Sequence, residues 1–154
     1  MRYAIFLAAA GLLAGTTTLA AQAAPAAPAL KWGPAPAVFP AGAQMAVVSG
    51  DPGKAGPFVI ELSMPSGYRI QPHTHPTDET VTVVKGTFLV GMGNTFDEAK
   101  AKPMPAGANG SIKAGMAHFA TAQGATVVSV ASTGPFAMTY VNPSDDPSKM
   151  LAKP

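Results

Sequence analysis

The stretch Gly67–Gly86, GYRIQPHTHPTDETVTVVKG, decides the fold of this 154-residue chain. It holds two of the three histidines in the sequence, His73 and His75, only two residues apart. In an extended backbone this spacing places both imidazoles on one face, and the flanking Pro72 and Pro76 disfavour a helix. The stretch therefore predicts a pair of imidazoles that act together on a strand.

A carboxylate and a third imidazole complete a candidate set of metal ligands. Glu79 opens the β-branched run that follows, so its side chain can fold back toward the histidine face. His118 is the remaining histidine and follows the turn Ala114-Gly115-Met116-Ala117. Three imidazoles and one carboxylate suit one divalent transition metal (Fe, Mn, Ni, Co, Cu or Zn) and discriminate poorly among these ions. Taken singly, such residues are also consistent with ordinary core histidines and a solvated strand start.

Glycines frame these residues at fixed spacings. Five residues separate Gly67 from His73, three separate His75 from Glu79, and six more lead to Gly86. This spacing resembles the first sequence motif of the cupin superfamily at every motif position. The glycines fit turns that bracket the ligand strands, where a positive φ is needed.

The second cupin motif is matched in part. Gly107, Gly115 and His118 stand where that motif has its glycines and its histidine. Lys113 replaces a proline and Ala122 replaces an asparagine, so we expect a less rigid turn and the loss of one amide beside the ligands. The resemblance implies that four side chains bind the metal: His73, His75, Glu79 and His118.

Composition favours an all-β domain. The chain has 16 Gly and 16 Pro, and only 12% of its residues are charged, which suits short strands joined by turns rather than long helices. We predict strands at 44–49, 57–64, 68–70, 79–84, 87–92, 110–113, 117–122, 126–133 and 136–141. One or two helical turns are predicted at 96–102, a loop at 103–107 and a turn at Lys85-Gly86. The resemblance implies a cupin-type double-stranded β-helix, a jelly-roll barrel that holds one ion and one small ligand.

The first segment is typical of an export signal. Arg2 precedes the apolar run Ala4–Ala14, which at about 11 residues is short for a membrane span of roughly 20. Ala21-Gln22-Ala23 offers small residues for cleavage; an uncleaved anchor is the alternative. We predict a signal peptide at 1–23, an Ala/Pro-rich extension at 24–37, the cupin domain at 38–143 and a polar tail at 144–154. The expected location is the periplasm, after export across the inner membrane.

Charge and cysteine content exclude several classes of function. The absence of cysteine excludes disulfides, zinc–thiolate sites, iron–sulfur clusters and cysteine nucleophiles. Without the leader, nine Lys and Arg face eight Asp and Glu, a balance that does not indicate nucleic-acid binding. We expect a small-molecule ligand or substrate, no nucleic acid and no membrane insertion after cleavage. The resemblance leaves open a homodimer formed through an edge strand.

Catalytic residues beyond the metal ligands are only weakly indicated. Strand alternation backward from the histidine pair turns Arg69 and Gln71 inward, where Arg69, the only arginine after the leader, could clamp a substrate carboxylate. An exposed Arg69 is equally consistent with the pattern. Tyr140 is a candidate acid or hydrogen-bond donor. Asp78 is expected either to bond a ligand histidine or to be solvated.

The resemblance implies a metalloenzyme that acts on a small oxygenated organic molecule. Oxidoreductase chemistry of the dioxygenase type is favoured over isomerase or lyase chemistry. Because a fold does not fix a function, a non-catalytic periplasmic module that binds a metal or a small molecule is the alternative. A metal-free structural jelly roll would leave the full ligand set unexplained.

Overall fold

The computed structural model describes residues 29–150. The predicted signal peptide at 1–23, the first part of the Ala/Pro-rich extension and the last four residues of the polar tail lie outside these described residues. Within 29–150, no helix is long and apolar enough to cross a membrane.

The described chain forms nine strands in one curled antiparallel sheet. In chain order they are β1 (Gly33–Pro34), β2 (Gln44–Ser49), β3 (Gly56–Met64), β4 (Arg69–Thr74), β5 (Glu79–Met92), β6 (Lys102–Pro105), β7 (Asn109–Ile112), β8 (His118–Gly134) and β9 (Thr139–Tyr140). Helical structure in this range is limited to 3-10 turns at Glu98–Lys100 and Pro143–Asp145 and to one short helix, α1 (Pro147–Met150). The all-β prediction is confirmed.

The barrel is built around β8, which is 17 residues long. The first half of β8 pairs with β4 and with the second half of β5, and its second half pairs with β3 and with the first half of β5. Strands β2 and β1 extend the sheet beyond β3, β9 pairs with β4, and β6 and β7 pair with β5. This topology places β4 directly against the start of β8, where the histidines lie.

Two predicted interruptions are bends within continuous strands. The turn predicted at Lys85-Gly86 is wrong, because β5 runs on through this point, and β8 likewise joins the two strands predicted within 117–133. Gly86 and Gly124 have φ values of +81° and +79°, and the β5–β8 register shifts on both sides of Lys85. Such irregularities bend a strand while its ladder resumes beyond them, so the sheet curls into a barrel instead of reversing.

The segment after β5 also differs from the prediction. Asp97 caps a single 3-10 turn, where its side chain accepts a hydrogen bond from the N–H of Ala99 at 3.2 Å. The loop predicted at 103–107 is partly strand, because β6 pairs with Thr87–Val90 of β5. Part of the predicted extension is also strand, since β1 pairs with β2.

Alternating apolar side chains of β3 fill the barrel. Phe58, Ile60, Leu62 and Met64 point inward and are each at most 3% exposed. Burying each such side chain stabilises the fold by roughly 1.5–3 kcal/mol. The same inner face continues into the cavity where the histidines lie.

We predict that Gly86→Ala destabilises the protein more than Gly107→Ala does. A Cβ on Gly86 would lie 2.6 Å from the carbonyl oxygen of Ala125 and 2.7 Å from Oγ1 of Thr126. Gly107 has a similar φ of +87° but nothing within 4 Å of that position. Both variants carry a left-handed strain of about 1–2 kcal/mol, and Gly86→Ala adds an overpacking cost of about 1–3 kcal/mol. Urea unfolding measures the difference, and equal free energies of unfolding would contradict this packing.

Candidate metal centre

Strands β4 and β8 bring the three histidines together. His73 lies directly opposite His118 in the β4–β8 ladder, and their ring centroids are 4.2 Å apart. The ring of His75, just beyond β4, lies 5.0 Å from that of His73 and 5.4 Å from that of His118. All three are buried, and each offers a ring nitrogen within 4.8 Å of the others. The three imidazoles therefore form a group that could hold a metal ion.

Each histidine donates from Nδ1 to a backbone carbonyl oxygen. The acceptors are Gln71 for His73 at 2.7 Å, Ala137 for His75 at 2.7 Å and Met116 for His118 at 3.0 Å. A neutral imidazole that carries its hydrogen on Nδ1 has its lone pair on Nε2. These bonds therefore fix the ring orientations and leave Nε2 as the nitrogen able to bind a metal.

Burial keeps two of these imidazoles neutral. Removal from water holds the pKa of His73 well below its usual range, and the neighbouring imidazoles of His118 and His75 act in the same direction. Burial also lowers the pKa of His75, although the carboxylate of Glu79 opposes this effect. Since only the neutral imidazole binds a metal, both rings are in the binding form at neutral pH.

The carboxylate of Glu79 lies against two of the free nitrogens. Its Oε2 is 3.4 Å from Nε2 of His75, and its Oε1 is 3.3 Å from Nε2 of His118. Glu79 is the first residue of β5 and is only 7% exposed. A buried carboxylate is costly unless it is paired or coordinates a metal. The structure thus brings together all four side chains that the motifs single out.

Asp78 fastens the loop that precedes β8. Its Oδ1 accepts a hydrogen bond from the N–H of Ala114 at 2.8 Å, and its Oδ2 pairs with Nζ of Lys113 at 2.7 Å. The N–H of Gly115 also donates to the carbonyl oxygen of His75 at 2.9 Å. The turn that lacks the motif's proline is therefore held by an ion pair and two backbone anchors. Both carboxylate oxygens of Asp78 are used by this loop rather than by a histidine.

Arg69 lies outside the barrel. Its Nη2 is 2.9 Å from Oε2 of Glu98, and its guanidinium lies 5.5 Å from the ring centroid of Phe96. The inward orientation predicted from strand alternation is wrong, because the β4–β8 register shifts between Ile70 and His73. Ile70 and His73 consequently both line the cavity although they are three residues apart. Arg69 is not placed to clamp a substrate carboxylate.

Tyr140 supports the wall behind the histidines. Its hydroxyl donates to the carbonyl oxygen of Val38 at 2.8 Å, and its ring centroid lies 6.0 Å from that of His73. Burial raises the pKa of the Tyr140 phenol above its ordinary value. Because this hydrogen is already donated to a backbone oxygen, the structure does not support the role of spare acid predicted for Tyr140.

The four side chains open on a small cavity, which we call the metal cavity. The volume open to the centres of water molecules is about 40 Å³, room for roughly three waters. Besides the histidines and Glu79, every side chain within residues 29–150 that lines it is apolar. The site therefore has an apolar surrounding in which electrostatic interactions are strengthened.

The two sequence motifs gave no signal for the segment 135–138, which completes the site. Ala137 supplies the carbonyl oxygen that orients His75, and the ring of Phe136 lies 5.3 Å from that of His75. This segment is about sixty residues from His75 in the sequence. The β4–β9 pairing and a hydrogen bond from the N–H of Phe136 to the carbonyl oxygen of Pro52 bring it to the site.

Comparison with known proteins bears on the fold. No family model and no curated protein matches this sequence. Several solved structures are similar to it. A candidate acetylacetone dioxygenase from Methylibium petroleiphilum PM1 is 22% identical with a TM-score of 0.59, over 75% of this chain and 78% of that one. The polyketide cyclase RemF from Streptomyces resistomycificus is 16% identical with a TM-score of 0.57, over 73% of this chain and 80% of that one.

A third similar structure is itself a cupin. An RmlC-like cupin from Shewanella frigidimarina NCIMB 400 is 16% identical with a TM-score of 0.51, over 61% of this chain and 78% of that one. At such identities the likeness concerns the fold. The curled antiparallel barrel and these likenesses together confirm the fold that the two motifs predict: the chain forms a cupin-type barrel.

Proposed function

We propose that this chain binds one divalent transition metal through four side chains: His73, His75, Glu79 and His118. The observation that carries the proposal is the set of three Nδ1–carbonyl bonds, which leave three Nε2 atoms facing one cavity. The buried carboxylate of Glu79 beside two of these nitrogens would offset the charge of the cation. Such a donor set suits iron, manganese, nickel, copper or zinc.

We further propose that the protein is an oxidoreductase of the dioxygenase type. A metal bound here would supply Lewis acidity and, if redox-active, a site for oxygen chemistry. The protein supplies neutral imidazole donors, a fixed orientation for each ring and apolar walls around the ion. The candidate acetylacetone dioxygenase with the same fold supports this class by analogy only.

The lining of the metal cavity indicates a small, neutral, oxygenated substrate. Among the described residues that line it, none is a lysine or an arginine, and Arg69 is bonded to Glu98 outside the barrel. A free carboxylate would therefore lose its hydration with only the metal as compensation. A molecule with an apolar body and one or two neutral oxygens fits the walls better.

A non-catalytic binding module is the second candidate. It is favoured by the absence of any acid or base, other than the histidines and Glu79, among the described residues that line the metal cavity. In that case the metal and the apolar walls would capture a small neutral molecule without converting it. Export to the periplasm is a proposal that rests on the sequence of residues 1–23, and a homodimer rests on the resemblance alone.

We predict about one bound metal ion per chain in protein purified without chelators or an affinity tag. His118→Ala removes one of the three imidazoles, so we expect it to lose most of this metal. Glu79→Gln keeps the shape of the side chain but removes its charge, and we expect its metal affinity to fall at least about 10-fold, because even the loss of a partner outside the ligand set costs that much. Elemental analysis and competition with a chelating dye measure both effects.

Glu98→Gln is the matched control for this experiment. It removes an exposed carboxylate from the same barrel, at the Arg69 pair, and should leave the metal content unchanged. A wild-type protein that contains no metal and takes up none when it is offered would contradict the proposed site.

We predict that the metal-loaded protein consumes oxygen with small neutral carbonyl compounds and not with the corresponding carboxylates. The apolar walls favour the neutral compounds, as argued above. An oxygen electrode measures the rate, and His118→Ala serves as the inactive control. Binding of these compounds by the loaded protein without oxygen uptake would contradict the dioxygenase proposal and support the binding module.

A further inference from the structure

A second apolar depression lies directly outside the metal cavity. This outer groove is lined by residues that include Pro36, Val38, Met45 and Pro52. Its volume open to the centres of water molecules is about 410 Å³. It is thus about ten times larger than the metal cavity. Three side chains line both spaces: Ile60, Phe136 and Met138. These three side chains form the wall between the groove and the metal cavity.

Phe136 is the member of this wall that is partly open to solvent. Ile60 is 1% exposed and Met138 is 9% exposed, whereas Phe136 is half-buried. On the inner side its ring lies 5.3 Å from the ring of His75. It also stacks on Phe39, which lines the metal cavity too, with ring centroids 5.8 Å apart and planes within 9°.

The backbone around Phe136 differs from that around Ile60. Ile60 lies in the middle of β3 and pairs with both β2 and β8. Phe136 lies in the irregular segment 135–138, between β8 and β9. This segment is anchored where the N–H of Phe136 donates to the carbonyl oxygen of Pro52 at 2.7 Å. What holds the Phe136 side chain in place is therefore its ring contacts, including an edge contact with Phe58 at 6.1 Å between centroids.

We propose that the outer groove is the route by which the substrate reaches the metal cavity, and that Phe136 sets the size of the molecules that pass. The inference rests on the proposed function, since it concerns access to that same site. The occupant of the groove is the small neutral organic substrate, because the groove residues are apolar and the groove adjoins the metal cavity across the shared wall. The metal cavity has room for roughly three waters beside the histidines. A larger molecule could therefore reach the ion only if the Phe136 ring moved aside.

Two neutral metal ligands of different size test this proposal in cobalt(II)-loaded protein. Imidazole and 4-phenylimidazole, titrated at about pH 8, report binding to the ion through the visible absorption of cobalt. We expect the wild-type protein to bind imidazole and to bind 4-phenylimidazole much more weakly. Phe136→Ala removes the barrier, so we expect it to bind 4-phenylimidazole at least about 10-fold more tightly, the scale on which pocket size discriminates.

Phe96→Ala is the matched control. Phe96 is also half-buried, but its ring packs on Phe119 with centroids 4.9 Å apart, on the outside of the barrel. This variant should show the wild-type affinities for both ligands. Phe136→Leu keeps an apolar contact with Phe39 in case the alanine variant does not fold, and we expect it to show a smaller shift in the same direction.

The outcomes separate this proposal from the one on which it rests. If 4-phenylimidazole binds equally well to the wild-type protein and to the Phe136 variants, the size limit is wrong. If calorimetry shows that it binds without a change in the cobalt spectrum, the groove is a separate site and the route is wrong. If the wild-type protein does not take up cobalt at all, the proposed function fails and the route fails with it.

Discussion

Three buried imidazoles lie around one small cavity, and each is held in its orientation because it donates its Nδ1 hydrogen to a backbone oxygen. Two of the acceptors, at Gln71 and Met116, lie only two residues before the histidine that they orient. The third, at Ala137, comes from the segment before β9. Without such bonds the rings could rotate, and burial would leave polar nitrogens without partners at a cost of about 1–3 kcal/mol each. The rest of the barrel holds these three acceptors in place.

The curvature of the sheet makes this arrangement possible. Strand β8 bonds to β4 through its first half and to β3 through its second, while β5 follows it along both halves. The bends at Gly86 and Gly124 let this long pair wrap around the apolar side chains of β3. As a result the ends of β4, β5 and β8 meet, and each contributes a ligand candidate to one cavity. Where the loop before β8 lacks a proline, the Asp78–Lys113 pair anchors it instead.

Sequence reasoning succeeds here where the information is local. The spacing from Gly67 to Gly86 predicts both the strand character of the region and the four side chains that the structure brings together. It fails at Arg69, because a register shift in a ladder leaves no trace in the alternation of residue types. It also misreads Gly86, since a positive φ suits a turn and a bend equally well. Phe136 and Ala137 carry no motif, because only tertiary pairing gives them a role.

The account centres on Nε2 of each histidine as the atom prepared to bind the metal. A crystal structure of the metal-loaded protein tests this most directly. We expect one ion bonded to Nε2 of His73, His75 and His118, with the three Nδ1–carbonyl bonds retained. An ion bound through Nδ1 of any of these histidines, or a loaded site in which those backbone bonds are broken, would contradict the account.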